Sequence, residues 1–343
     1  GGMTREKAEE IWKLFEPFQG YGFNKAHAAS YGKVAYQTSY MKANFPAIYM
    51  SAVLTADSGD VEQIAAIIAE CKRMEIPVLP PDINESFGGF TVVQADAPGN
   101  TDGVDKIRFG LFTIKNLGEG IATTIIEERK KNGRFTSLSD FLDRIKDKNL
   151  NKKSLEALIK TGAMDALGER GELLANLENI ISYNKEKGQA TNGQSLFGLM
   201  EDASSIPGLR LTPAQPATQD EKLAWERELL GLFISGHPLD KFREKLEKNG
   251  TNITKTRETA VEGSTVVIAG LLEEVKHIHT KKGENMMFAK IQDFSGSIEV
   301  VIFPKTLAEF KDIFTLDKCI AIKGKITTRN GTRSILAEKA KVL

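Results

Sequence analysis

Apolar residues recur at three- and four-residue steps through the first 75 positions, the spacing of a helix with one buried face. Ile11, Trp12, Leu14 and Phe15 share such a face, and Pro17 is expected to end it. Gly20 and Gly22 predict a turn, and helices are expected over about 25–45, 47–55 and 61–74, the first stopping before Pro46. Pro77, Pro80 and Pro81 mark a rigid boundary. Strand-like runs at 90–93 and 107–109 flank a turn-rich loop, and 118–167 reads as short helices. Residues 185–221 lack apolar periodicity and read as a mostly exposed linker, followed by helices at 220–232 and 240–248. From about Gly263 the period becomes two, predicting strands at 265–271, 286–291, 298–303, 319–326 and 334–337. A short helix at 305–310 separates the third and fourth, and Asn330-Gly331 favours a tight hairpin turn. Five strands with a helix between three and four is the order of an OB-fold barrel. The fold class expected is multidomain, mostly α and then an all-β five-stranded OB-fold barrel.

Of the 343 residues, 41% are hydrophobic and 27% charged, enough apolar content for packed cores. Lys and Arg number 46, as do Asp and Glu, so any nucleic-acid surface must be local rather than a property of the whole chain. Two distant cysteines, Cys71 and Cys319, support neither a disulfide framework nor a Cys-rich zinc site. No apolar run approaches the roughly 18–20 residues of a membrane span, so no membrane partner is expected and a cytoplasmic location fits. No HExxH, GxSxG or P-loop is present.

Three stretches suit nucleic-acid chemistry, and each has a plainer reading. Leu117-Gly118-Glu119-Gly120 followed by Ala122 resembles a helix-hairpin-helix turn, in which a helix N-terminus offers backbone N–H groups to a phosphate. Lys115, Arg129, Lys130, Lys131 and Arg134 are nearby in sequence; the plainer reading is a Gly-rich turn with solvated charges. In the barrel, Phe288 and Phe303 are candidate base-stacking rings, and Lys281, Lys282, Arg329 and Arg333 sit in loops that frame the usual OB groove. A structural or protein-binding barrel would carry the same residues. His27 and Tyr31 share a helix face near Lys25, suiting a triphosphate at a helix start, although on these residues alone helix packing is the readier explanation. Leu196 and Phe197, in GQSLF at 193–197, could anchor a peptide in an apolar groove or simply occur in a linker.

Together these stretches are more specific than apart. GYGFNKAHAASYGKVAYQTSYMKANFPAIYMSAVL at 20–54, KRMEIPVLPPDIN at 72–84, FGLFTIKNLGEG at 109–120, LIKTGAMDALG at 158–168 and LLGLFISGHPL at 229–239 resemble the C-terminal part of the bacterial replicative DNA polymerase III α-subunit family, in order. The resemblance implies part of the polymerase fingers at 3–82, a strand-containing connector and helix-hairpin-helix region at 83–175, a helix and exposed linker with a clamp-binding-like segment at 176–221, a helical connector at 222–250 and an OB domain at 263–343. It implies nucleotide contact by Asn24, Lys25, His27 and Tyr31, with Lys33 a weaker candidate. DNA contact is implied for Lys115, Gly118, Gly120, Lys130, Lys131, Lys281, Lys282, Phe288, Arg329 and Arg333. Gln194, Leu196 and Phe197 resemble the sliding-clamp pentapeptide, with Gln194 one position late. The implied partners are primer-template duplex, single-stranded template, incoming deoxynucleoside triphosphate, the sliding clamp and other replicative holoenzyme subunits. Phosphoryl transfer in this family uses Mg2+ held by palm aspartates, and no Asp-x-Asp occurs here. No catalytic residue and no cofactor are therefore expected in this chain, and alone it is expected not to polymerise DNA. The competing expectation is a non-catalytic nucleic-acid-binding protein of repair or RNA metabolism built from the same modules.

Overall fold

Residue types at the helix starts explain where the first elements begin. A computed structural model describes residues 3–19, 24–191, 209–248, 250, 252–280, 283–329 and 331–343. They form two compact units, Gly1–Ile234 and Ser235–Leu343, so the helix at Gln219–Leu230 belongs to the first unit and the expected connector at 222–250 is divided. In the first unit, α1 (Arg5–Gln19) is followed by α2 (Lys25–Asn44), α3 (Pro46–Ala56) and α4 (Val61–Arg73). The backbone of α1 continues through Pro17. Proline deletes one backbone hydrogen bond, and so close to the helix end the earlier turns keep theirs. Asn24 caps α2, its side-chain oxygen accepting from the His27 N–H at 3.0 Å. Pro46 opens α3, where its missing N–H costs nothing. No residue of α2 is buried, whereas α3 sinks Ala47, Met50 and Leu54 into the core.

A small sheet follows, ordered β1 (Val78–Leu79), β3 (Lys106–Arg108), β2 (Thr91–Val93). β1 lies parallel to β3, with Val78 opposite Ile107, among the very prolines that read as a boundary. Pro77 still offers a carbonyl, and it accepts from the Ile107 N–H at 2.9 Å. Helices α5 (Glu119–Asn132), α6 (Leu138–Arg144), α7 (Lys152–Lys160), α8 (Arg170–Ala175), α9 (Leu177–Thr191) and α10 (Gln219–Leu230) complete the unit. In α7 the apolar positions Leu155, Leu158 and Ile159 fall on one face and are buried, and Asn151 with Ser154 forms a capping box. Leu54, Ile64, Phe109, Leu111, Ile125, Phe141, Leu158 and Leu229 share one core.

Residues 209–218 are mostly exposed, as expected of a linker, but are tied to the first unit at several points. Leu209 and Leu211 pack against the core. Asn176 holds Thr212 through two 2.8 Å bonds, and Glu169 accepts from the Ala217 N–H at 3.0 Å. Two leucines at alternate positions carry too short a pattern to stand out in a polar stretch.

The second unit contains α11 (Arg243–Lys248), α12 (Ile253–Thr259) and a closed barrel. Its strands are β4 (Thr265–His279), β5 (Asn285–Gln292), β6 (Ser297–Ile302), β7 (Cys319–Arg329) and β8 (Thr332–Val342), with α13 (Pro304–Glu309) between β6 and β7. The order around the barrel is β4-β5-β6-β8-β7, with β6 and β8 parallel. Alternate residues fill the interior: Met287, Ala289 and Ile291 from β5, Ile298, Val300 and Ile302 from β6. A side chain at Gly270 would run into the Gln292 carbonyl, and one at Gly324 into that of Leu336. Both glycines let strands close in at the barrel's corners.

Candidate nucleic-acid interface

The hairpin before α5 is built on one unusual backbone position. Asn116 adopts φ 68°, a left-handed conformation that Asn tolerates better than most residues. The turn buries Leu117 and leaves Lys115, Gly118, Glu119 and Gly120 exposed. Lys115 is anchored by its own N–H, which donates to the Leu229 carbonyl at 3.0 Å. Gly118 is the N-cap of α5 at φ −69°, and no side chain caps the helix there. The first N–H groups of a helix have no partners within it, and they carry the positive end of its dipole. A side chain at Gly118 or Gly120 would meet nothing within 4 Å. Neither backbone strain nor internal packing therefore requires these two glycines. What they leave is open space over the backbone amides of the first turn.

Lys130 and Lys131 are exposed but lie at the opposite end of α5, about 18–20 Å along the axis at 1.5 Å per residue. Lys130 sits 5.1 Å over the ring of Phe87. The structure thus separates these lysines from the hairpin. Arg129 is buried, and its Nη1 donates to the Ile83 carbonyl at 2.7 Å. Burial holds the Arg129 pKa below its ordinary value. It is a structural cation, while exposed Arg134 pairs with Glu85 at 3.3 Å.

On the barrel, Phe288 stands on β5 between Lys276 of β4 and Val301 of β6. Its neighbours along the strand, Met287 and Ala289, point inward, so the ring belongs to the outer face of the second and third strands. Lys276 is exposed beside it. Only the strand register reveals that juxtaposition, which sequence reading missed. Phe303, at 46% exposure, follows at the end of β6. The same face is not uniformly basic. Burial works against the Lys290 ammonium, but Glu273 at 3.1 Å and Glu274 at 3.4 Å hold its pKa above the usual value. Glu299 lies directly across from Lys290. Arg333 donates to the Arg257 carbonyl at 2.6 Å. Arg329 closes β7 opposite Thr332, while Lys281 and Lys282 lie outside the described residues.

The four N-terminal candidates do gather at one helix start. Asn24 spends its side-chain oxygen on the cap, Lys25 begins α2, and the rings of His27 and Tyr31 lie 4.3 Å apart between centroids. All four are exposed. Gln194, Leu196 and Phe197 lie outside the described residues. Among the described residues no group of three or more His, Cys, Asp or Glu could hold a metal ion. Among them, too, no helix is long and apolar enough to cross a membrane.

Residues 75–173 match the helix-hairpin-helix motif family, and residues 266–343 match the OB-fold nucleic acid binding domain family. The chain is 38% identical, over 98% of its length, to 29% of the DNA polymerase III subunit alpha of Borreliella burgdorferi. It is 36% identical, over 99% of its length, to 28% of that of Saccharopolyspora erythraea, and 37% identical over 88% to 24% of that of Thermus aquaticus. The chain therefore spans less than a third of the curated relatives it matches.

Proposed function

We propose that this chain, which belongs with the DNA polymerase III alpha subunits, supplies part of a replicative DNA polymerase's grip on its substrates. The observation that carries this reading is the uncapped, sterically open start of α5 at Gly118 and Gly120. A helix N-terminus with no side chain in the way suits a backbone phosphate and carries no sequence information. Duplex primer-template is therefore assigned to Gly118, Gly120 and Lys115. Unpaired template is assigned to the barrel, with Phe288 stacking a base and Lys281, Lys282, Arg329 and Arg333 following phosphates. Lys130 and Lys131 serve a separate stretch of backbone.

The exposed start of α2, with Asn24, Lys25, His27 and Tyr31, is assigned to the incoming deoxynucleoside triphosphate. Gln194, Leu196 and Phe197 tether the polymerase to the sliding clamp, raising its local concentration at the primer. Other holoenzyme subunits are further partners, and the setting is cytoplasmic. Mg2+ and the aspartates that hold it belong to parts of the polymerase outside this chain, which alone does not extend a primer. Fluorescence anisotropy of labelled primer-template and single-stranded DNA across a salt series tests the reading. Binding that weakens steeply with salt supports it. Absence of binding at low salt overturns it for this chain, and primer extension by the pure chain overturns the assignment of catalysis elsewhere.

A further inference from the structure

The barrel carries a second basic face, away from the strands that hold Phe288. Strand pairing sets Val267 of β4 opposite Lys323 of β7, and Lys323 opposite Lys339 of β8. Farther along the same two strands, Lys341 lies opposite Ala321. Residues two apart on a strand share a face, so Lys339 and Lys341 project from the same side of β8. All three lysines are exposed, as is Val267 at 55%. None has an ion-pair or hydrogen-bond partner among the described residues. Lys325, on the same side of β7, has Glu338 at 3.7 Å. Lysines directly opposed across two strands repel and weaken the pairing. The Phe288 face shows the reverse arrangement, with Lys290 held by Glu273 and Glu274.

We propose that Lys323, Lys339 and Lys341 form a separate site for the sugar–phosphate backbone of DNA, resting on the reading above that the chain binds DNA. Lys339 and Lys341 stand about 7 Å apart along their strand, and Lys323 and Lys339 about 5 Å apart across it. Flexible ammonium groups at those separations reach neighbouring phosphates on one strand. The rows that hold them, Val267-Lys323-Lys339 and Ala321-Lys341, contain no aromatic ring, so this contact grips backbone without stacking a base. An acidic protein partner fits less well. Protein interfaces draw on aromatic anchors and are depleted in lysine, and these rows offer Val267 alone as an exposed apolar residue.

Two measurements on the full chain test the site. The first is lysine acetylation with and without bound single-stranded DNA, read residue by residue. Several-fold protection of Lys323, Lys339 and Lys341 is expected. The second is the salt dependence of DNA binding by the triple variant Lys323→Gln/Lys339→Gln/Lys341→Gln. Each phosphate contact on a single strand contributes about 0.7 to the log–log salt slope, so the slope should fall by about two. A parent chain that binds DNA while all three lysines stay as reactive as without it overturns this proposal and leaves the DNA reading standing. A triple variant with unchanged affinity and slope does the same. A parent chain that binds no DNA at low salt overturns both. Protection by polyglutamate but not by DNA overturns the proposal in favour of a protein partner.

Discussion

Asn84 and Phe135 exchange two hydrogen bonds across 51 positions of sequence: the Asn84 amide donates to the Phe135 carbonyl at 2.9 Å, and the Phe135 N–H donates to Asn84 Oδ1 at 2.7 Å. Both bonds are buried. With Arg129 on the Ile83 carbonyl, they pin the C-terminal end of α5 to the turn at 82–86. Asn84→Ala leaves two buried backbone groups unpaired and is expected to cost roughly 2–4 kcal/mol. Trp12 and Trp225, the chain's two tryptophans, both lie in the first unit. Urea unfolding followed by tryptophan fluorescence therefore reads that unit. An unchanged midpoint would show that the bonds are dispensable.

Arg170 is 3% exposed and Glu226 is fully buried, 3.2 Å apart across α8 and α10. Asp165 engages the same guanidinium at 2.9 Å. Burial opposes the Arg170 charge, yet the bonds to Asp165 and Glu226 outweigh it and raise the pKa. Glu226 also accepts from the Ile234 N–H at 2.9 Å. Glu226→Ala removes one of the two carboxylates on a buried guanidinium, which keeps Asp165, and leaves the Ile234 N–H unpaired. It is expected to destabilise the first unit by about 1–3 kcal/mol. Gly162, at φ 80°, lies against Arg170, so Gly162→Ala adds backbone strain to a clash with the guanidinium. Thermal unfolding of the two variants checks both, and a midpoint within a degree of the parent's would refute the network's role.

Glu70 joins α2 to α4. Hydrogen bonds from Arg73 and then Lys42 lower its pKa to about 2. Its folded pKa lies below the unfolded value, so its contribution is complete above pH 4.5 and vanishes as pH falls toward 2. Acid should therefore weaken the Lys42–Glu70 tie between α2 and α4 in that window, whereas Glu70→Gln should abolish that component at every pH. Amide exchange of α2 as a function of pH reads the effect directly, and identical profiles for parent and variant would contradict it.

The clamp assignment rests on two apolar anchors. Leu196→Ala and Phe197→Ala together should weaken binding to a sliding clamp by tenfold or more, as loss of anchor residues does elsewhere. Gln194→Ala should matter less, because Gln194 stands out of register. Surface plasmon resonance on immobilised clamp distinguishes these outcomes, and equal affinity for the double variant would remove the tether.

Much of this was legible because period and caps are local. The five barrel strands appeared from period two, and the short helices of 118–167 from local apolar spacing, which needs no tertiary knowledge. β1 was hidden because its two residues sit among prolines and pair with a strand 29 positions away. The ties on 209–218 were hidden because Asn176 and Glu169, which make them, are distant in sequence. Lys130 and Lys131 looked adjacent to the hairpin only because sequence counts residues and not helical rise. The Asn24 cap on α2 was not read from the sequence, although Asn just before a helix is a common capping residue.

The phosphate proposed to bind α5 would meet its backbone amides at Gly118 and Gly120. The most direct measurement is primer-template affinity of the parent and of Gly118→Val/Gly120→Val, alongside their thermal stability. Nothing lies within 4 Å of either added Cβ. Valine is better than glycine inside the helix at 120 but worse at the N-cap position 118, so the fold should lose no more than about 2 kcal/mol. Duplex binding is nonetheless expected to fall tenfold or more. A stable double variant that binds duplex as tightly as the parent would contradict it.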